Sequence, residues 1–222
     1  MSSGPASSRL VVVDYGVNNV GSVINMFRRI GVEADAVRTS ERIAEASAIV
    51  LPGIGAFDAG IQNLKSRGLF EAIQRRVRDD RVPILGICLG MQLLGSGSEE
   101  GKLEGLGLVP AFTRRFAFEG PRARDLKVPH MGWNRTKCLD RELFAELDEE
   151  GRFYYVHSYH VVCEDPRDVA ASCIYGIPFA AALRRDHVMG TQFHPEKSHR
   201  YGLAVLRGFV RAARCSERLA DA

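Results

Sequence analysis

The chain has 222 residues, 45% of them hydrophobic and 26% charged, and its 30 basic groups stand against 27 acidic ones for a net charge of +3. That is an ordinary globular composition. It excludes a disordered chain and a nucleic-acid-coating protein, and at ~150 residues per domain the length favours one full-sized domain.

Residues 1–8 (MSSGPASS) carry neither the charged nor the apolar stretch of a signal peptide and read as a disordered tail. Residues 9–13 (RLVVV) read as a buried strand that runs into the turn Asp14-Tyr15-Gly16. Val20, Val23, Ile24, Phe27 and Ile30 then recur at helical spacing until Gly31 stops the helix. Residues 32–37 alternate like a strand, and 47–52 form a buried one ended by Pro52-Gly53. A helical stretch to about residue 80 leads to another buried strand at 82–87. The arginines at 75, 76, 78 and 81 have acidic neighbours and read as a solvated helix end. Strands separated by helical crossovers imply a parallel sheet covered on both faces.

From about 108 to 193 the helical signal is weak, and β-like runs recur at 126–130, 152–157, 160–163, 169–174, 179–184 and 187–193. An amphipathic helix over roughly 199–214 follows, leaving 215–222 as a C-terminal tail. The expected architecture is a single α/β domain over 9–214, mostly parallel at its centre, with an antiparallel extension in the second half. The longest apolar runs, such as Leu10–Val13 and Phe179–Leu183, fall far short of the ~20 residues that span a bilayer, so no membrane partner is expected. The five cysteines form no CxxC pair, which fits a reducing compartment and a soluble cytoplasmic protein. His194 and Glu196 lack a second closely spaced ligand pair, so no metal is expected.

Gly86-Ile87-Cys88-Leu89-Gly90 follows one of the buried strands directly and precedes the apolar run Met91–Leu94. This is the pattern of a nucleophile elbow with cysteine at its centre, where flanking side chains would collide with neighbouring backbone. A cysteine at a helix start also has its thiolate favoured by the helix dipole. Its base is expected from His194, since in an extended segment Glu196 projects to the same side and can reach one imidazole nitrogen. His157 and His160 read as packing or pocket residues; His130, His187 and His199 have no catalytic argument. Leu89 follows the nucleophile and supplies one oxyanion donor by position; Pro52-Gly53-Ile54-Gly55 could supply a second, but on its own it reads as an ordinary βα turn.

GICLGMQLL (86–94), PGIGAF (52–57) and GTQFHPEKS (190–198) together resemble the triad-type, class I glutamine amidotransferases. Within them DYGVNN (14–19), VPHMGWN (128–134) and YYVHSYH (154–160) are similar to the glutaminase subunits of imidazole glycerol phosphate synthase, over roughly residues 9–212. The resemblance implies the triad Cys88, His194 and Glu196, and an oxyanion strand at Gly53, Ile54 and Gly55. It implies glutamine-binding positions at Gly55, Leu89, Gln92, Glu100, Ser158 and Tyr159, and a docking face with Asn19, Trp133 and Lys197. It also implies a glutaminase of histidine biosynthesis that uses L-glutamine, needs no cofactor and forms a heterodimer with a cyclase-type (β/α)8 barrel synthase. Because the resemblance takes up nearly the whole chain, the consumer of the ammonia is expected to be a separate protein.

Two departures stand out. Asn18 replaces a glycine of the usual DYGxGN turn, a position where asparagine tolerates a left-handed backbone better than most residues. FDAG (57–60), HSYHVVC (157–163) and HPEKSHRYG (194–202) resemble a paralogous branch that supplies ammonia for the nitrogen-rich sugars of surface polysaccharides. A catalytically silent regulatory module is the reading from another class, and the presence of all three triad residues speaks against it. A stand-alone cysteine hydrolase is disfavoured by Gln92, Glu100 and the Ser158–Tyr159 pair, which suit a free amino acid. No GxGxxG follows the first strand, against a Rossmann nucleotide binder.

Overall fold

Three buried apolar runs, β1 (Leu10–Val13), β3 (Ala48–Gly53) and β4 (Ile84–Cys88), and the more exposed edge strand β2 (Ala34–Val37) form the parallel half of one sheet. The computed structural model describes residues 9–17, 19–120 and 125–220, with side chains except those of 215–220. The tail expected at 1–8 and the unusual Asn18 lie outside the described residues.

Alternation along these strands explains their composition. Leu10, Val12, Val50, Leu85 and Ile87 face one core, and Val11, Val13, Ile49, Leu51 and Ile84 face the other. A strand buried on both faces has no polar side, so it reads as a continuous apolar run. The first core is covered by α1 (Val20–Arg29) through Val23 and Phe27, and by α6 (His199–Ala220) through Val205 and Phe209. The second is covered by α2 (Ser40–Ala44), α3 (Phe57–Ser66), α4 (Leu69–Arg78) and α5 (Leu89–Leu93), through Ile43, Ile61, Ile73 and Leu93 among others. Each such buried side chain contributes about 1.5–3 kcal/mol of burial.

Beside β4 the parallel strand β12 (Val188–Thr191) joins this half to four antiparallel strands. These are β11 (Ile177–Arg185), β10 (Val169–Tyr175), β7 (His130–Cys138) and β8 (Glu150–His157). The nine strands run β2-β1-β3-β4-β12-β11-β10-β7-β8, and β5 (Gly97–Ser98), β6 (Ala111–Arg115) and β9 (Tyr159–Cys163) make a small second sheet. The parallel sheet, its two helical layers and the antiparallel extension are those expected.

Several details differ. The stretch expected as helix up to residue 80 is two helices, parted at Gly68 with φ 65°. Of the run placed at 126–130 only His130 is strand, as the first residue of β7. That strand turns His130, Thr136 and Cys138 inward and leaves Met131 and Trp133 exposed, so polar and apolar residues are mixed on both of its faces. Helix α6 continues to Ala220, through most of the segment expected as a tail. Among the described residues no helix is long and apolar enough to cross a membrane.

Candidate active site

The carboxyl ends of β1, β3, β4 and β12 open on one side of the sheet, and the chemistry-bearing residues follow them directly. Cys88 ends β4 and begins the turn into α5, with φ 56° and ψ −110°, a backbone shape that few non-glycine residues adopt. The flanking glycines make it possible. A Cβ on Gly90 would fall 1.7 Å from the Leu51 carbonyl oxygen, and one on Gly86 would fall 2.6 Å from the Gly90 oxygen.

His194 lies beyond the end of β12, its backbone fixed by an N–H bond to the Tyr154 carbonyl (3.0 Å) and by the Ser198 hydroxyl on its own carbonyl (2.7 Å). The Nδ1 atom is 2.7 Å from Glu196 Oε1, with both side chains buried. Glu196 reaches the ring from a 3-10 turn, Pro195–Lys197, and not from the extended segment expected. The pairing holds although the local geometry differs. Nε2 has no hydrogen-bond partner among the described residues, and His194 lines a cavity that Cys88 also lines. Burial works against charge on this ring, but the Cys88 and Glu196 side chains beside it outweigh that, and its pKa is pushed up to about 10.

The cavity measures about 300 Å³ and brings together Ile54, Gly55, Cys88, Leu89, Gln92, Glu100, Ser158, Tyr159 and His194. Every residue expected to touch glutamine lines it. Gln92 is fixed by donating to the Tyr159 carbonyl and to Gln192 Oε1, both at 3.2 Å. Glu100 accepts the Phe57 N–H at 2.9 Å, which ties it to the start of α3. Gln192 was not anticipated, although it stands two positions before His194 in the same motif. Its amide nitrogen lies 3.9 Å from Cys88 Sγ.

Leu89 opens α5, so its N–H lacks an intrahelical partner and stays next to the thiol. The second expected donor is engaged elsewhere. The Ile54 N–H donates to the Val17 carbonyl at 2.9 Å, away from the role of oxyanion donor expected of it, while the neighbouring Gly55 takes φ +98°.

His157 lines the cavity and is one half of an ordered histidine pair. The Asn134 amide is oriented by the Arg135 N–H on its oxygen and by its own donation to the Ile174 carbonyl. Its nitrogen therefore faces His130 Nε2 (3.3 Å), which places the His130 proton on Nδ1, facing His157 Nε2 at 3.0 Å. His157 in turn donates from Nδ1 to the Tyr159 carbonyl at 2.8 Å. Burial lowers the pKa of His157 to about 3 and that of His130 to about 4, so both rings are neutral at pH 7.

Of the residues expected on a docking face, Trp133 is 40% exposed and stacks on His199 at 5.4 Å, and the Lys197 ammonium sits over the Tyr154 ring. Asn19 is exposed just ahead of α1, the helix that packs on the Pro195–Lys197 turn.

The model of the family "Glutamine amidotransferase class-I" matches residues 11–213. An imidazole glycerol phosphate synthase subunit HisH 2 of Pseudomonas aeruginosa is 47% identical over 202 residues, which cover 90% of this chain and 98% of that protein. A HisH 2 subunit of Methanococcus maripaludis is 42% identical, covering 92% of this chain and 100% of its own. A solved glutamine amidotransferase shares the fold with a TM-score of 0.72 at 19% identity, over 92% of this chain and 99% of its own. The chain thus belongs to the class-I glutamine amidotransferase family, in the group of the imidazole glycerol phosphate synthase HisH subunits.

Proposed function

We propose that this chain is the glutaminase subunit of an imidazole glycerol phosphate synthase, acting in histidine biosynthesis in the cytoplasm. In this reading it hydrolyses glutamine to glutamate and ammonia and hands the ammonia to a cyclase-type barrel partner. The carrying observation is the single cavity in which a buried cysteine on a strained turn meets a histidine already held by a carboxylate. The names of the relatives at 42% and 47% identity support the histidine branch over surface-sugar synthesis.

The chemistry follows from the groups present. Glutamine enters with its amino-acid end toward Ser158 and Tyr159 and its side-chain amide toward Cys88. The Cys88 sulfur attacks the amide carbon, the carbonyl electrons move onto oxygen, and the Leu89 N–H stabilises that oxyanion. His194 Nε2 gives its proton to the amide nitrogen, the C–N bond breaks, and ammonia leaves a γ-glutamyl thioester. The neutral imidazole then takes a proton from water, whose oxygen attacks the thioester and releases glutamate and the thiol. Glu196 fixes the Nδ1 proton and favours the imidazolium throughout.

The Ile54 N–H held by Val17 gives this site a resting state short of one oxyanion donor. Docking of the partner on the face that carries Asn19, Trp133 and Lys197 frees that N–H, so glutamine is spent only when an acceptor is waiting. The exposed Met131 (63%) and Trp133 on the outer side of β7 give this face an apolar component. The test is an acid-quenched reaction of the complex with glutamine, digested and analysed by mass spectrometry. A γ-glutamyl adduct on the Cys88 peptide is expected; turnover with the adduct on another residue would refute the assignment.

A further inference from the structure

Tyr15 follows β1 in the first turn and is fully buried, and its hydroxyl has no hydrogen-bond partner among the described residues. Phenylalanine would fill the same space without stranding a polar atom, so the packing seen here gives the oxygen no purpose. Its location is informative. A Cβ built on Gly53 would fall 2.3 Å from the Tyr15 oxygen, so the hydroxyl takes up the room that a side chain at Gly53 would need. Burial, and the nearby Cys88 after it, hold the phenol far above its ordinary range, and it stays a proton donor at every working pH.

The same short segment presents two groups to the oxyanion strand. Val17 offers a carbonyl, which holds the Ile54 N–H. Tyr15 offers a hydroxyl, which holds nothing. Turning the Gly53–Ile54 peptide would bring the Ile54 N–H to the substrate and reverse the Gly53 carbonyl with it, because both belong to one plane. A carbonyl turned toward Val17 would face another acceptor and needs a donor of its own. Among the described residues, Tyr15 is the buried side-chain group without a partner whose oxygen lies against Gly53.

We propose that the Tyr15 hydroxyl is a positioning group for the oxyanion strand, the donor that receives the Gly53 carbonyl when this peptide turns its N–H from Val17 to the substrate. This rests on the glutaminase reading and adds to it a residue of this chain that stabilises the competent state. The hydroxyl is idle in the resting state and bonded in the active one, so its contribution belongs to activation and not to folding.

The experiment is Tyr15→Phe in the complex with its synthase partner, measuring glutamine turnover with and without partner and acceptor. The loss of one hydrogen bond from the competent state lowers the ratio of stimulated to basal kcat about tenfold, with the KM for glutamine moving less than about twofold. The Tm of the isolated variant does not fall, because no bond of the resting state is removed. An unchanged activation ratio would overturn the proposal. Equal losses with and without partner, or a fall in Tm that accompanies the loss, would overturn it as well, since each assigns the hydroxyl to the resting structure. The parent reading fails separately, as glutamine turnover that survives Cys88→Ala in a complex with Tyr15 intact, and that failure would take this proposal with it.

Discussion

At Gly90, the Leu51 carbonyl leaves no room for even a methyl group, and the obstacle is backbone in a central strand that cannot step aside. Gly90→Ala should therefore destabilise the fold by about 3 kcal/mol or more, seen as a lower urea midpoint at unchanged slope. A loss under about 1 kcal/mol would mean that the turn relaxes. Within the triad, His194→Ala removes the proton donor and should lower glutamine kcat by roughly 10²–10⁴. Glu196→Gln should be milder, because a carboxamide still orients the ring but no longer stabilises its cation. An unaffected His194→Ala enzyme would point to another histidine. The raised pKa of His194 also has a sign in stability: its contribution is fully present below about pH 6.5 and is lost as pH rises toward about 10. Glu196→Gln should flatten that alkaline limb in urea titrations taken across this range, and an unchanged limb would place its origin elsewhere.

The strands β7 and β8 make their own prediction through the neutral pair His130 and His157. A histidine with a depressed pKa contributes stability that is present above about pH 6.5 and lost as pH falls toward its folded value. The window here runs down to about 4 for His130 and about 3 for His157. Each ring steepens the acid limb by up to about 1.4 kcal/mol per pH unit, so His130→Asn should make the loss of stability between pH 6.5 and 4 shallower. Equal slopes for the two proteins would show that His130 does not carry this limb. Elements of this half were also the hardest to read in the sequence. The central parallel strands β1, β3 and β4 announced themselves because both of their faces are buried, and every residue from Leu10 to Val13 is apolar. Strand β7 did the opposite, hiding polar residues and exposing Trp133, so alternation gave no usable phase. The short β5 and α2 lack the length for any periodicity. The site was more legible than the fold, since GICLG, PGIG and HPE are local motifs whose spacing follows from backbone sterics. The Val17–Ile54 bond and the unpaired Tyr15 hydroxyl were not legible, because they depend on which strands become neighbours.

Across the whole molecule, the first turn, the oxyanion strand and the turn after His194 are linked through Val17–Ile54 and through α1 against Pro195–Lys197. A partner bound on this side can therefore act on the oxyanion donor without moving the triad. One missing donor typically lowers kcat by about 10²–10³, so the isolated chain should be nearly silent and should gain at least that factor when partner and acceptor are present. Full activity of the isolated chain would refute this gating while leaving the triad untouched. Lys197→Ala should reduce the gain far more than it alters glutamine KM; an equal change in both would assign Lys197 to substrate binding. The central claim is that Cys88 makes ammonia here for use by another protein. It is tested most directly by assaying the complex of the Cys88→Ala chain with its synthase, supplied with glutamine or with ammonium salt. The account predicts that product formation from glutamine disappears while formation from ammonia persists at the rate of the unmodified complex; continued synthesis from glutamine would contradict it.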